Sequence, residues 1–276
     1  TGEIQNVLPE TLYRGDRLET VTPDRLIETL HAGTIVIVSE IHNLQSHHQH
    51  QVSFLESLAK NNVSKISVGM EFLSFIGQSY IDQYLFDGLP EEQFLKSVQW
   101  SGDFTAYRPL VLFPKNHQGE TLGLNAPRTL TAKISKSGMS SLTEEEQALI
   151  PPDFQLGNQL YFERFKAVMT GGGHELPPHV IARYFEAQSV WDETMAYVAT
   201  NYMQNNPDSI LVIIVGDFHA QYGGGLPDRL RARGAENIVT ISQINLKDLS
   251  PSERLEEVLP HPKFGNRANF IWTSEE

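Results

Sequence analysis

Runs of apolar, largely β-branched residues punctuate the chain at 34–38 (TIVIV), 65–72 (KISVGMEF), 122–125 (LGLN), 210–216 (ILVIIVG) and 237–242 (NIVTIS). They are short and nearly apolar throughout instead of alternating, the pattern of strands covered on both faces. The intervals between them are long enough for crossover helices. The spacing therefore predicts an α/β fold: a mostly parallel β-sheet with helices on both faces.

Two helices have readable limits. Ser46 with Gln49 three residues on predicts a capping box, after which Val52, Leu55, Leu58 and Ala59 form an inward stripe, with His48 on it and His47 on its shoulder. A second helix is expected over 179–204, entered through Pro177 and Pro178, left through Asn205, Asn206 and Pro207, and feeding the ILVIIVG strand. From about 128 to 178 the texture changes to helical pieces broken by Pro and Gly, with no convincing strand. This predicts a helical lid inserted over one end of the sheet, in a chain that otherwise reads as a single α/β domain over 1–276.

Composition narrows the function classes. At 276 residues, 40% hydrophobic and 20% charged, the chain has the make-up of an ordinary globular protein with room for an enzyme's core. A net charge of -13 without a dense Lys/Arg run argues against nucleic-acid binding. The longest apolar runs fall far short of the ~20 residues that cross a bilayer. The lack of cysteine removes thiol catalysis, cysteine-ligated zinc and disulfides. The first residue is Thr1 and not Met, which fits either a removed signal segment or a trimmed start, and a lipid-bearing cysteine could have gone with it.

In an open parallel sheet, ligands bind beyond the carboxyl ends of the strands. Three of the predicted strands end there in chemistry-bearing residues: Ser39-Glu40-Ile41-His42, Gly69-Met70-Glu71 and Gly216-Asp217-Phe218-His219. Glu40 and His42, two apart, share a side of extended backbone, and a parallel sheet brings them near Glu71 and His219. Glu40, His42 and His219 are thus candidate ligands for a divalent metal such as zinc, manganese or iron, with Glu40 and Glu71 as candidate catalytic carboxylates. Singly, each residue reads equally well as a helix cap or a hydrogen-bonded structural group. His47, His48 and His50 are weaker candidates, and at least one is expected to face solvent.

The following loop, GDFHAQYGGGLPDRL (216–230), allows an anion to meet exposed amides at Gly223–Gly225, or equally a tight turn that needs glycine. It is neither a Walker loop nor GxGxxG, so nucleotide binding has little support. Tyr222 offers a phenolate able to ligate ferric iron, as in tyrosine-ligated haem. SLAK at 57–60 lies late in a helix, away from the strand ends, and the prolines and extra residue of HELPPH at 174–179 break zincin geometry. His174 can reach the site from the insertion, although a solvated loop position suits it better.

The segments SEIHNLQSHHQHQ, GMEF, YRPL, LNAPR, AQSVWDETMA and GDFHAQYGGGLPDRL, in that order and spacing, resemble the ChaN-like haem-binding proteins of the wider haem-uptake, Tiki and erythromycin-esterase-like superfamily. The resemblance runs from about residue 30 to the end. It implies a parallel-sheet domain with a helical lid, and a bacterial envelope lipoprotein that binds haem as a homodimer. It further implies a tyrosine on the haem iron with a histidine from the partner subunit, roles that match Tyr222 and His219, with His174 a further candidate. Tiki-like relatives are metal-dependent peptidases with GxxH motifs; GDFH keeps that motif, whereas Ser39 replaces the glycine expected before Glu40 and His42.

Two functions follow as expectations. As a haem carrier in iron acquisition, the protein would wall a slot with Phe72, Phe75, Phe218 and Tyr222 and face the propionates with Arg108 or Arg128, although a structural ion pair suits each arginine slightly better. As a metal-dependent hydrolase, it would hold a divalent ion on Glu40, His42 and His219 and move protons through Glu71. A third reading, a scaffold that binds partners through the lid, has no positive signal in the sequence.

Overall fold

Successive residues of the central strand β3 (Ile35–Glu40) point to opposite faces: Val36 and Val38 join one hydrophobic core, Ile35 and Ile37 another. The helix Gln45–Asn61 covers the first face with Phe54, Leu55 and Leu58, and the long helix Pro178–Asn205 covers the second with Met195, Ala196 and Ala199. Each such Val, Ile, Leu, Phe or Met side chain removed from water contributes about 1.5–3 kcal/mol. The two apolar layers therefore hold the sheet, and its polar strand ends are released for chemistry.

The computed structural model describes residues 5–61 and 65–276. Its remaining strands are β1 (Leu12–Arg14), β2 (Thr20–Val21), β4 (Lys65–Ser74), β5 (Thr121–Asn125), β6 (Ser209–Gly216), β7 (Ile238–Asn245) and β8 (Phe270–Ser274). They form one eight-stranded sheet in the order β2-β1-β8-β7-β3-β6-β4-β5. β3 to β8 pair in parallel; β1 pairs antiparallel with both β2 and β8. The α/β sheet is as expected, but the five-strand count was short, because β1, β2 and β8 have only two to five residues each and carry little periodic signal.

The long helix starts and ends within a residue or two of its predicted limits. The capping box at Ser46 does not form. The helix begins at Gln45, and the Glu276 carboxylate accepts the backbone N–H groups of Gln45 (3.2 Å) and Ser46 (2.9 Å) and the Ser46 hydroxyl (2.8 Å). A carboxylate complements the positive helix end, and this one comes from the far end of the chain. The same helix overturns the expectation of a solvent-facing histidine: His47, His48 and His50 are all buried.

Residues 128–178 hold helices Arg128–Ser137, Glu144–Gln147 and Gln159–Thr170 with short turns between them, and no strand. Leu130 and Ile134 pack with Ala187 and Val190, and Tyr161 and Phe165 with Ile181 and Phe185, so two apolar clusters fasten this segment to the long helix.

Candidate functional site

Strand order sets the site. β6 lies between β3 and β4, with Gly216 directly opposite Glu40. Glu71 falls where the β4–β5 register shifts, between Met70 and Ser74, an irregularity of the kind that re-aims a side chain. Glu40, His42, Glu71 and His219 accordingly meet at the carboxyl edge.

Glu40 is buried and accepts hydrogen bonds from the Tyr107 hydroxyl (2.7 Å) and the Gln51 amide (3.3 Å). It lies 3.1 Å from Nδ1 of His42, and this bond fixes the His42 proton on Nδ1. Bonding to Glu40, against the opposing effect of burial, raises the His42 pKa above the usual imidazole value. The ring is half-exposed, edge-on to Phe72, and its Nε2 lies beside Gly216, where a Cβ would stand 3.3 Å from it. The glycine makes room for the imidazole.

His219 is held differently. Its Nε2 is 2.9 Å from Glu71 and its Nδ1 2.7 Å from Asp192, both deep in the protein. Burial opposes charge on this ring, but the carboxylates of Asp192 and Glu71 outweigh it and raise the pKa to about 10. His219 is therefore an imidazolium at neutral pH, clamped between two carboxylates. At Glu71 burial is outweighed by His219 and the Gly216 N–H (3.0 Å), which lower its pKa, whereas at Asp192 burial prevails and raises it. Asp192 also accepts the Tyr161 hydroxyl at 2.7 Å.

In this arrangement Glu40, His42 and His219, expected as a metal set, are engaged with other partners, and both nitrogens of His219 face carboxylates. An imidazole that donates from both nitrogens has no lone pair for a metal, and among the described residues no group of three or more His, Asp or Glu side chains is disposed to hold one. For the same reason His219 is not placed to ligate haem iron.

Tyr222, three residues after His219, turns away from this cluster. Its backbone is left-handed (φ 58°, ψ 25°), unusual for a bulky residue, and is held by its N–H bond to the Arg267 carbonyl (2.7 Å). Its ring is half-buried against His261 and Phe264. Arg267 is itself fixed by Asp217 (2.7 Å), which also accepts from Ser242 (2.6 Å) and Ser39. The hydroxyl that Ser39 carries in place of glycine thus belongs to the network behind Tyr222. The glycine run serves a tight turn: a Cβ on Gly225 would stand 2.8 Å from the His219 carbonyl and 2.9 Å from the Tyr161 hydroxyl.

The other predicted cofactor residues lie elsewhere. Arg108 grips Glu91 with two bonds of 2.6 and 2.8 Å, a structural ion pair. Arg128 starts its helix and reaches Ser101 at 3.3 Å. His174 is exposed beyond the Gly171–Gly173 turn. The expected aromatic wall is divided: Phe72 packs with His42 and Tyr107, and Phe218 with Tyr161 and Arg164. The residues that sequence reasoning missed are Tyr107, Gln51, Asp192, Tyr161 and Arg164. For Asp192 a signal existed, since Gln188 and Asp192 lie one helical turn apart on the helix predicted to pack on the sheet.

The family model for haem-binding uptake proteins of the Tiki superfamily, ChaN, matches residues 26–230. Among solved structures, ChaN of Campylobacter jejuni, described as cofacial haem binding, superposes with a TM-score of 0.70 at 14% identity, over 95% of each chain. The type III effector HopBA1 gives 0.51 at 10% identity, over 98% of this chain and all of that one. An erythromycin esterase, EreC, gives 0.47 at 13%, over 78% of this chain and 71% of that one. No curated protein matches. The chain belongs to the ChaN family of haem-binding uptake proteins in the Tiki superfamily.

Proposed function

We propose that this protein binds ferric haem through Tyr222 and serves haem or iron acquisition at the bacterial cell envelope. Family membership supports haem as the ligand, and the observation that carries the site is Tyr222 itself, a partly exposed phenol held in left-handed backbone among aromatic rings. The donor set fits haem. His261 uses Nδ1 to accept the N–H groups of Lys263 and Phe264, which places its proton on Nε2 and leaves the phenol as the iron-directed donor of this cluster. Haem, when bound, would supply a ferric centre that a tyrosine oxygen can ligate. Tyr222 is partly exposed, and a second copy of the chain would cover the other haem face, in keeping with the cofacial description of the Campylobacter protein. A lipid anchor outside this sequence would supply membrane attachment.

Haemin titration tests the reading. The protein should develop a saturable Soret band and a tyrosinate-to-iron charge-transfer band, and Tyr222→Phe should remove the latter. An unchanged spectrum in Tyr222→Phe would overturn the assignment.

A second reading, hydrolysis, is favoured by the half-exposed His42, which Glu40 orients as a general base would be. Ester or peptide hydrolysis that depends on His42 and survives Tyr222→Phe would support it, and metal analysis of the same sample would show whether the reaction needs a divalent ion. Haemin uptake without any hydrolysis would dismiss it.

A further inference from the structure

Arg164, on the helix Gln159–Thr170, is only 6% exposed, yet among the described residues no carboxylate pairs with it. The other buried arginine, Arg267, is held by Asp217 and Glu257, and the partly buried Arg229 and Arg233 reach Glu193. Arg164 donates from Nη1 to the Gln221 carbonyl at 3.0 Å, while its Nη2 is buried with no acceptor. Three aromatic rings surround its guanidinium carbon: Phe218 at 4.9 Å, Tyr222 at 5.0 Å and Tyr161 at 5.7 Å. Burial works against its charge, which the Asp217 carboxylate favours without pairing with it, and cation–π contacts offset only part of the cost of burying a cation that has no direct ion pair.

We infer that Arg164 is the specificity-determining residue for iron-loaded porphyrin, its unpaired guanidinium supplying the positive charge that the Tyr222 oxygen calls for once it carries ferric iron. The inference rests on the reading of Tyr222 as the iron ligand. When the phenol ligates ferric iron, its O–H bond breaks, the proton leaves to water, the oxygen–iron bond forms and the iron stays ferric. The ring then carries the anionic oxygen that Arg164 otherwise lacks as a partner. A metal-free porphyrin forms no such bond and draws nothing from Arg164. Had the guanidinium faced a propionate instead, both porphyrins would depend on it equally, because they carry the same propionates.

The test compares affinities for haemin and for metal-free protoporphyrin IX in the full chain and in Arg164→Met, Arg164→Lys and Tyr222→Phe, with thermal melts as the folding control. Removing a charge beside an ionised group weakens it, so Arg164→Met should weaken haemin at least about tenfold and shift the charge-transfer band. Protoporphyrin affinity should not change, and Arg164→Lys, which keeps the charge, should recover part of the haemin affinity. Equal losses for both porphyrins, or none for haemin, overturn the inference. If Tyr222→Phe selectively loses haemin but Arg164→Met and Arg164→Lys do not, the Tyr222 reading stands and Arg164 falls. If Tyr222→Phe binds haemin as before, both fall.

Discussion

Nδ1 of His219, just beyond the end of β6, lies 2.7 Å from Oδ1 of Asp192 on the long helix that precedes that strand. With Glu71 on the opposite nitrogen, the ring is sealed between strand and helix as a cation. The relationship ties the carboxyl edge of the sheet to the helix that carries the 128–178 segment, and Tyr161, bonded to Asp192, extends it to the neighbourhood of Tyr222.

The raised pKa of His219 makes stability depend on pH. Its folded value, about 10, exceeds the ordinary 6.5, so its contribution is complete below pH 6.5 and is lost as pH rises toward 10. Thermal melts between pH 6.5 and 10 should therefore fall more steeply for the natural protein than for His219→Gln, which lacks the titrating group. Parallel slopes would show that His219 is not charged in the folded state.

His42 should titrate above the usual imidazole range, because its bond to Glu40 favours the charged ring. In Glu40→Gln that charge is removed from beside Nδ1, and the His42 midpoint should drop. Ring-proton NMR across pH 5 to 9 reads both values; an unmoved midpoint would remove Glu40 as the group that tunes His42.

Gly225 and Gly223 both have positive φ, at 64° and 67°, but only Gly225 lacks room for a Cβ. Gly223→Ala should cost about 1 kcal/mol for the backbone conformation alone, and Gly225→Ala about 2–4 kcal/mol because the turn must also move off His219 and Tyr161. Urea unfolding separates the two; similar midpoints would mean the turn can relax.

Asp217→Asn leaves the buried Arg267 guanidinium with Glu257 as its carboxylate and the Ser242 hydroxyl as a further acceptor, and about 1–3 kcal/mol of stability should be lost. Because Tyr222 hangs from the Arg267 carbonyl, the amides of 221–223 should also exchange hydrogen faster in this variant. Unchanged exchange there would detach Tyr222 from the network behind it.

Glu40, His42 and Glu71 were legible because each sits on or just after an apolar run, and parallel strands deliver such residues to one edge. The use made of His219 was not legible. A GxxH motif reads as a ligand, and only the packing of the long helix, which turns Asp192 toward β6, leaves that ring without a free nitrogen. Arg164 was likewise invisible, in a segment whose broken helical texture gave no sign of which side chains would turn inward.

The order of apolar runs, their β-branched character and the intervals between them determined by themselves that a parallel sheet would form and that its carboxyl ends would carry acid and imidazole groups, since burial of alternate faces is written into local composition. Which groups would pair was decided by the tertiary structure. Hydrogen bonds and charge pairs act over about 3–4 Å, and the partners that hold these residues, Asp192 for His219 and Tyr107 for Glu40, lie 27 and 67 positions away in the chain. Separations of that kind are fixed only when the helices settle on the sheet.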